Sequence, residues 1–138
     1  MDVETLLDGL NDRQRDAVAA PLENLLVLAG AGSGKTRVLV HRIAWLLSVE
    51  HASPFSILAV TFTNKAAAEM RSRVESLLGS HLGYGNGGMW LGTFHGIAHR
   101  LLRAHHLDAN LPQDFQILDS EDQLRLIKRV VRSLNLDE

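Results

Sequence analysis

The feature that most constrains the fold is a glycine-rich segment that directly follows a short apolar run. Leu25-Leu26-Val27-Leu28 has the length of a strand, and its lack of polar residues is typical of a strand buried on both faces of a parallel sheet. The next eight residues, 29–36, read A-x-x-x-x-G-K-T, and apolar residues at helical spacing follow them. A strand, a glycine-rich loop and a helix in this order predict a phosphate loop at residues 29–36.

The residue types in this loop suit the binding of a nucleotide phosphate. Glycines let consecutive backbone N–H groups converge on phosphate oxygens, and the start of the following helix adds the positive end of its dipole. Lys35 is expected to reach the β- and γ-phosphates, and the Thr36 hydroxyl to bind Mg²⁺; both are candidate catalytic residues. The alternative is a tight glycine turn with a solvated lysine. The predicted phosphate-binding residues are Ala29, Gly30, Ala31, Gly32, Ser33, Gly34, Lys35 and Thr36.

Strand-like and helical segments alternate along the first two-thirds of the chain. A capping box of Asn11 and Gln14 predicts a helix start, and Lys35 begins a helix of about four turns. Further strands are predicted at 57–62 and 89–94, on either side of a helix at 64–78. This order predicts a doubly wound α/β unit with a parallel sheet and flanking helices.

The last third of the sequence is predicted to be helical. Helices are expected at about 95–106 and 120–134, and Gly79 and a glycine-rich loop at 83–88 are expected to separate the last predicted strand from the helix before it. Ser120 and Gln123 are placed for a capping box, and the apolar positions after them are expected to face a core.

Hydrolysis of a nucleotide also needs an acid at the end of another buried strand to hold Mg²⁺. The one candidate is Asp119, after the partly apolar run that begins at Phe115. Gln116 interrupts that run, and Asp119 is better explained by the cap of the following helix. His95 and His99 are four residues apart, His105 and His106 follow them, and together they invite a zinc hypothesis. No cysteine and no well-placed acid joins them, so surface or capping roles are favoured for His99, His105 and His106.

Composition excludes several classes of protein. The chain has 138 residues, no cysteine and a net charge of −2, so disulfide frameworks, thiolate metal sites and cysteine nucleophiles are excluded. The acidic start and the lack of a long apolar run predict neither a secretory signal nor a membrane span, and we expect a cytoplasmic protein. The charge balance argues against a strongly basic nucleic-acid binder, although a few contacts at strand ends would not need one.

Three further segments accompany the phosphate loop in order. Residues 10–14 read LNDRQ, residues 60–71 read VTFTNKAAAEMR and residues 92–96 read GTFHG. With the phosphate loop extended by Arg37, they resemble the Q motif and motifs I, Ia and Ib of the superfamily 1 DNA helicases of the UvrD, Rep and PcrA group. The resemblance extends over the whole chain, and four motifs in order make it far more specific than one phosphate loop.

The resemblance implies roles for individual residues. Gln14 would hydrogen-bond the adenine edge of ATP, whose N6 and N7 match an amide donor and acceptor; alternatively it only completes the capping box. Arg37 would lie near the nucleotide, or would be solvated. Residues in motifs Ia and Ib would contact single-stranded DNA, because the carboxyl ends of parallel strands face the binding crevice; core packing is the alternative for Phe62. The implied DNA contacts are Thr61, Phe62, Thr63, Asn64, Thr93, Phe94 and His95.

The family's fold implies that residues 1–94 are the first part of a RecA-like motor domain, with a parallel sheet and flanking helices. Residues 95–138 would begin an inserted all-helical subdomain. The implied parent activity is ATP- and Mg²⁺-dependent 3′-to-5′ unwinding in repair or replication, with single-stranded DNA, duplex junctions, the remainder of the helicase chain and DNA-repair proteins as partners. The metal-binding acid, the arginine finger and the second motor domain would lie beyond residue 138. We therefore expect this chain alone to bind ATP weakly and to be inactive, with exposed apolar surface.

Two other classes stay open. One is a self-contained small nucleotide-binding enzyme such as a kinase, which would need a lid and a second acid. The other is a regulatory fragment that occupies a partner or DNA surface of an intact helicase.

Overall fold

The structure, a computed structural model, describes residues 3–78 and 88–136, and the chain divides into two units, Met1–Arg100 and Leu101–Glu138. Gly79 and most of the predicted loop at 83–88 lie outside the described residues. The regular elements are α1 Val3–Leu7, α2 Asp12–Val18, α3 Lys35–Ser48, a 3₁₀ turn Pro54–Ser56, β1 Leu58–Thr61, α4 Asn64–Leu78, β2 Trp90–Thr93, α5 Phe94–Ala104 and α6 Ser120–Ser133.

A small parallel sheet positions the candidate site. Within the described residues β1 pairs with β2 in parallel, with Leu58 opposite Trp90 and Thr61 opposite Thr93. The helix α4 follows β1 in the chain, as the alternating pattern predicts. The mixed α/β prediction is therefore confirmed at this level, and the two strands end side by side. The domain boundary after Phe94 stays a prediction.

The strand predicted at Leu25–Leu28 is wrong for this structure. Residues 25–28 lie outside helix and strand, and Leu26 and Leu28 are 80% and 85% exposed. A strand is stable only when neighbours satisfy its backbone groups and cover its faces. The described sheet consists of β1 and β2, and residues 25–28 pair with neither strand.

The core of the first unit lies between α3, α4 and the sheet. Its buried residues are Leu6, Val40, Ile43, Ala44, Leu47, Ala59, Ala67, Met70, Val74, Leu78 and Leu91. The helix α1 joins this core, although the sequence interpretation above begins the helices only at Asn11. Leu6 is fully buried, and its carbonyl oxygen lies 2.7 Å from Nδ1 of His41, itself only 8% exposed.

In the second unit, the structure of α6 differs from two predictions. Its N-cap is Asp119, whose carboxylate accepts the Asp122 N–H at 2.8 Å, so the predicted capping box of Ser120 and Gln123 is wrong. The apolar positions predicted to face a core are largely exposed in the described structure: Leu124, Ile127, Val130 and Leu134 are exposed, and Val131 is half-buried. The interpretation of Asp119 as a cap is confirmed.

The start of α2 gives a first prediction. Asn11 accepts the Gln14 N–H at 2.9 Å and donates its own N–H to Gln14 Oε1 at 3.1 Å, which confirms the predicted capping box. We expect Asn11→Ala to lower the free energy of unfolding by about 1 kcal/mol, because it leaves a first-turn N–H without its acceptor. Urea denaturation followed by circular dichroism measures the change. Arg13→Ala, on the exposed face of the same helix, is the control; an equal loss there would contradict the assignment.

Candidate nucleotide and nucleic-acid site

The predicted phosphate loop, residues 29–36, has two glycines with a left-handed backbone. Gly32 and Gly34 have φ angles of +73° and +80°, in the left-handed region that favours glycine. The Ser33 hydroxyl donates to the Gly30 carbonyl at 2.6 Å and closes the turn. Gly34 is the N-cap of α3 and makes no side-chain capping bond. The first N–H groups of this helix therefore follow the loop directly and are not capped by the side chain of the N-cap residue.

Lys35 lies over the loop that precedes it. Its ammonium donates to the carbonyl oxygens of Ala29 and Gly30, at 3.0 and 2.6 Å. The side chain therefore folds back across the loop at the protein surface. The positive charge thus lies beside the first two residues of the loop.

Gln14 connects the start of α2 to the phosphate loop. Besides its part in the capping box, its amide Nε2 donates to the Ser33 carbonyl at 3.0 Å. A Cβ added at Gly34 would lie 2.9 Å from the same Nε2, so only glycine leaves room for this contact. Because an amide oxygen accepts two hydrogen bonds and the NH₂ donates two, one acceptor position and one donor of Gln14 stay available for a ligand.

Thr36 and Arg37 occupy the exposed first turn of α3. Arg37 lies against the turn between α1 and α2, where a Cβ added at Gly9 would lie 2.7 Å from its Nη2. Thr36 offers one hydroxyl as a metal ligand, and over residues 3–78 and 88–136 no three His, Asp or Glu side chains come together to hold a metal ion.

Arg42 is a supporting residue that the sequence interpretation missed. From α3 it donates to the carbonyl oxygens of Val18, Ala20 and Pro21, with 2.8 Å to Val18 and 3.0 Å to Pro21. Val18 is the last residue of α2, and Ala20 and Pro21 follow its C-cap, so Arg42 ties the end of α2 and the segment after it to α3. In the sequence it stands between His41 and Ile43, both buried positions of α3, and this does not identify a partner.

Two exposed aromatic rings lie together where the strands end. Phe62 follows β1 and is 87% exposed, and Phe94 follows β2 and is 50% exposed. Their ring centroids are 5.3 Å apart, at an interplanar angle of 43°. Core packing, the alternative considered for Phe62, is therefore wrong, since the ring faces solvent.

The polar residues at the strand ends begin the next two helices. Thr63 Oγ1 accepts the Ala66 N–H and Thr93 Oγ1 accepts the Gly96 N–H, each at 3.1 Å. Asn64 and His95 are exposed in the first turns of α4 and α5, and Thr61 and Thr93 are half-buried. The structure thus brings the residues of the two predicted DNA motifs to one edge of the sheet.

The described helices include none with the length and apolar character of a membrane span.

Comparison with known proteins identifies the family. The family model for the UvrD/REP helicase N-terminal domain matches residues 10–138. Over its full length the chain is 76% identical to DNA helicase II of Escherichia coli and 72% identical to DNA helicase II of Haemophilus influenzae, and it covers 19% of each. It is 50% identical over 132 residues to the ATP-dependent DNA helicase PcrA of Bacillus subtilis, covering 17% of that protein. The chain thus spans about a fifth of the length of these relatives.

The motif-based resemblance is confirmed by these matches, and with the family come a RecA-like core and the ATP-binding region of such helicases. The chain belongs to the UvrD/REP helicase family and matches the N-terminal domain of its members.

Proposed function

We propose that the chain is the ATP-binding segment of a DNA helicase that couples ATP hydrolysis to 3′-to-5′ movement along single-stranded DNA. The observation that carries this proposal is the phosphate loop, with two left-handed glycines, the Lys35 ammonium folded over it and α3 starting behind it. A loop of this kind suits a phosphate anion, and the Bacillus subtilis relative PcrA is named an ATP-dependent DNA helicase.

The phosphates of ATP are proposed to bind the N–H groups of residues 29–36, with Lys35 neutralising the β- and γ-phosphates. Mg²⁺ fits this site with Thr36 as a single protein ligand, because Mg²⁺ in nucleotide sites keeps several waters and binds through phosphate oxygens. When bound, the ion would neutralise charge on the phosphate being transferred.

The base of ATP is proposed to meet Gln14. The remaining acceptor and donor of its amide match N6 and N7 of adenine. The capping box and the Ser33 contact hold the amide beside the loop, so the capping and base-binding roles are compatible. Arg37, also in the first turn of α3, is proposed to lie near the nucleotide.

Single-stranded DNA is proposed to cross the strand-end residues 61–64 and 93–95. Exposed aromatic rings stack on bases, and hydroxyl, amide and imidazole groups at helix starts hydrogen-bond phosphates. Duplex junctions, DNA-repair proteins and the rest of the helicase chain are the proposed partners, and the cytoplasm is the proposed location.

Nucleotide selection tests the proposal at Gln14. Guanine presents an acceptor, O6, where adenine presents the N6 donor. The chain without substitutions should therefore prefer ATP to GTP. We expect Gln14→Ala to reduce this preference by about tenfold, the equivalent of one bidentate contact. Titration of fluorescent ATP and GTP analogues with each protein measures both dissociation constants.

Arg13→Ala, on the same helix, is the matched control and should keep the parent preference. If Gln14→Ala lowers stability but leaves the ratio of the two dissociation constants unchanged, Gln14 acts in the cap alone. If the parent chain binds neither nucleotide, the proposed ATP site is wrong.

A further inference from the structure

A groove between α4 and α5 continues from the strand-end residues. It has a volume of about 410 Å³, and its wall on α4 consists of Asn64, Ala67, Ala68 and Arg71, which share one helix face. Its other lining residues lie on β2 and the first turns of α5 and include Thr93, Gly96 and Arg100. None of the described lining residues is acidic, and two carry a positive charge.

The first of these charges, Arg71, is fixed to the sheet. Its Nη2 donates to the Leu91 carbonyl at 2.8 Å. A guanidinium has five N–H donors, and this bond uses one of them. The contact to Leu91, the buried residue of β2, therefore holds the group in the groove wall and leaves most of its donors for a ligand.

The second charge, Arg100, is fixed by an aromatic ring. Its guanidinium carbon lies 4.5 Å from the centroid of the Trp90 ring, which is a cation–π contact. Stacking holds the plane of the guanidinium but occupies none of its N–H donors. Trp90 is half-buried at the start of β2, so this arginine too is anchored to the sheet.

Small residues give a ligand room to approach. Ala67, Ala68, Gly92 and Gly96 line the groove, and a Cβ added at Gly96 would come within 3.1 Å of Thr93 Oγ1. The groove is thus lined by small residues on both α4 and α5 and contains two anchored arginines. This is the shape and charge expected for a site that takes a phosphate without reading a base.

We infer that Arg71 and Arg100 together bind a backbone phosphate of single-stranded DNA, next to the nucleotide whose base stacks at Phe62 and Phe94. The inference rests on the proposed function, because the same strand must first cross the strand ends. Asn64 and Thr93 belong to both the groove and the strand-end set, so the path of the strand is continuous. Binding of a phosphate in this groove does not depend on the base sequence of the DNA. It releases cations from the DNA, and this release contributes to the affinity.

Salt dependence of DNA binding tests the inference. Fluorescence anisotropy with a labelled oligothymidylate, measured between low and moderate salt, gives the slope of log affinity against log salt. In the double variant Arg71→Gln and Arg100→Gln we expect this slope to become shallower by about 0.7, the value for one phosphate of a single strand. Replacement of both residues by lysine should restore most of the slope, and circular dichroism checks that each variant is folded.

Arg73→Gln is the matched control. It lies on α4 two residues from Arg71, on another face, where it pairs with Glu69. An unchanged slope in the glutamine double variant, with DNA binding still sensitive to Phe62→Ala, would overturn the inference and leave the proposed DNA site standing. If the chain without substitutions does not bind single-stranded DNA, both this inference and the proposed DNA site are wrong. Displacement of the oligonucleotide by inorganic phosphate at constant ionic strength would show a site for free phosphate and would also overturn the inference.

Discussion

Lys35→Ala is expected to weaken ATP binding by about 10- to 100-fold. A charge-assisted hydrogen bond contributes about 1.5–3 kcal/mol, and the alanine removes the one ammonium that lies over the loop. The neighbouring N–H groups and the helix dipole stay in place, so residual binding should persist. Isothermal titration calorimetry with ATP and Mg²⁺ measures the dissociation constant for both proteins.

Two comparisons make this result specific. Lys128→Ala removes the same charge from the exposed surface of α6 and should leave ATP affinity unchanged. The free energy of unfolding should also change little in Lys35→Ala, because its contacts lie on the protein surface. A dissociation constant within about twofold of the parent value would show that Lys35 is merely a solvated lysine on a glycine turn.

Elements determined by short-range contacts could be predicted from the sequence. The bounds of α4, the capping box of Asn11 and Gln14, and the start of α3 at Lys35 agree with the structure. Each depends on residues within one or two helical turns. The strand at residues 25–28 failed because a strand needs partners from elsewhere in the chain, and the described sheet supplies none.

In the candidate site, too, some contacts could be predicted from the sequence and others could not. That Phe62 and Phe94 come close together could be predicted, because both follow strands of one parallel sheet. The Gln14 contact to Ser33 and the three carbonyls held by Arg42 could not, since these bonds join residues 19 to 24 positions apart. Arg71 was part of a recognised motif, yet its anchoring to Leu91 depends on the packing of α4 against β2.

Removal of the aromatic pair at the strand ends should have the largest effect on DNA binding. Stacking of a base on an aromatic side chain contributes about 1–3 kcal/mol, so Phe62→Ala and Phe94→Ala should each weaken binding of single-stranded DNA by about tenfold. Because the two rings touch, they should act on the same base, and the double variant should lose less than the product of the single effects. Anisotropy titrations with an oligothymidylate at fixed salt measure all four proteins.

The slope of affinity against salt separates this role from phosphate binding. Stacking releases no cations, so both phenylalanine variants should keep the parent slope while their affinity falls. Phe55→Ala is the matched control, because Phe55 is 76% exposed but lies in the 3₁₀ turn before β1. Equal losses in Phe55→Ala and Phe62→Ala would show nonspecific adhesion to exposed rings. A pair of single effects that multiply fully would place the two rings on different bases, and the short distance between them would then reflect packing alone.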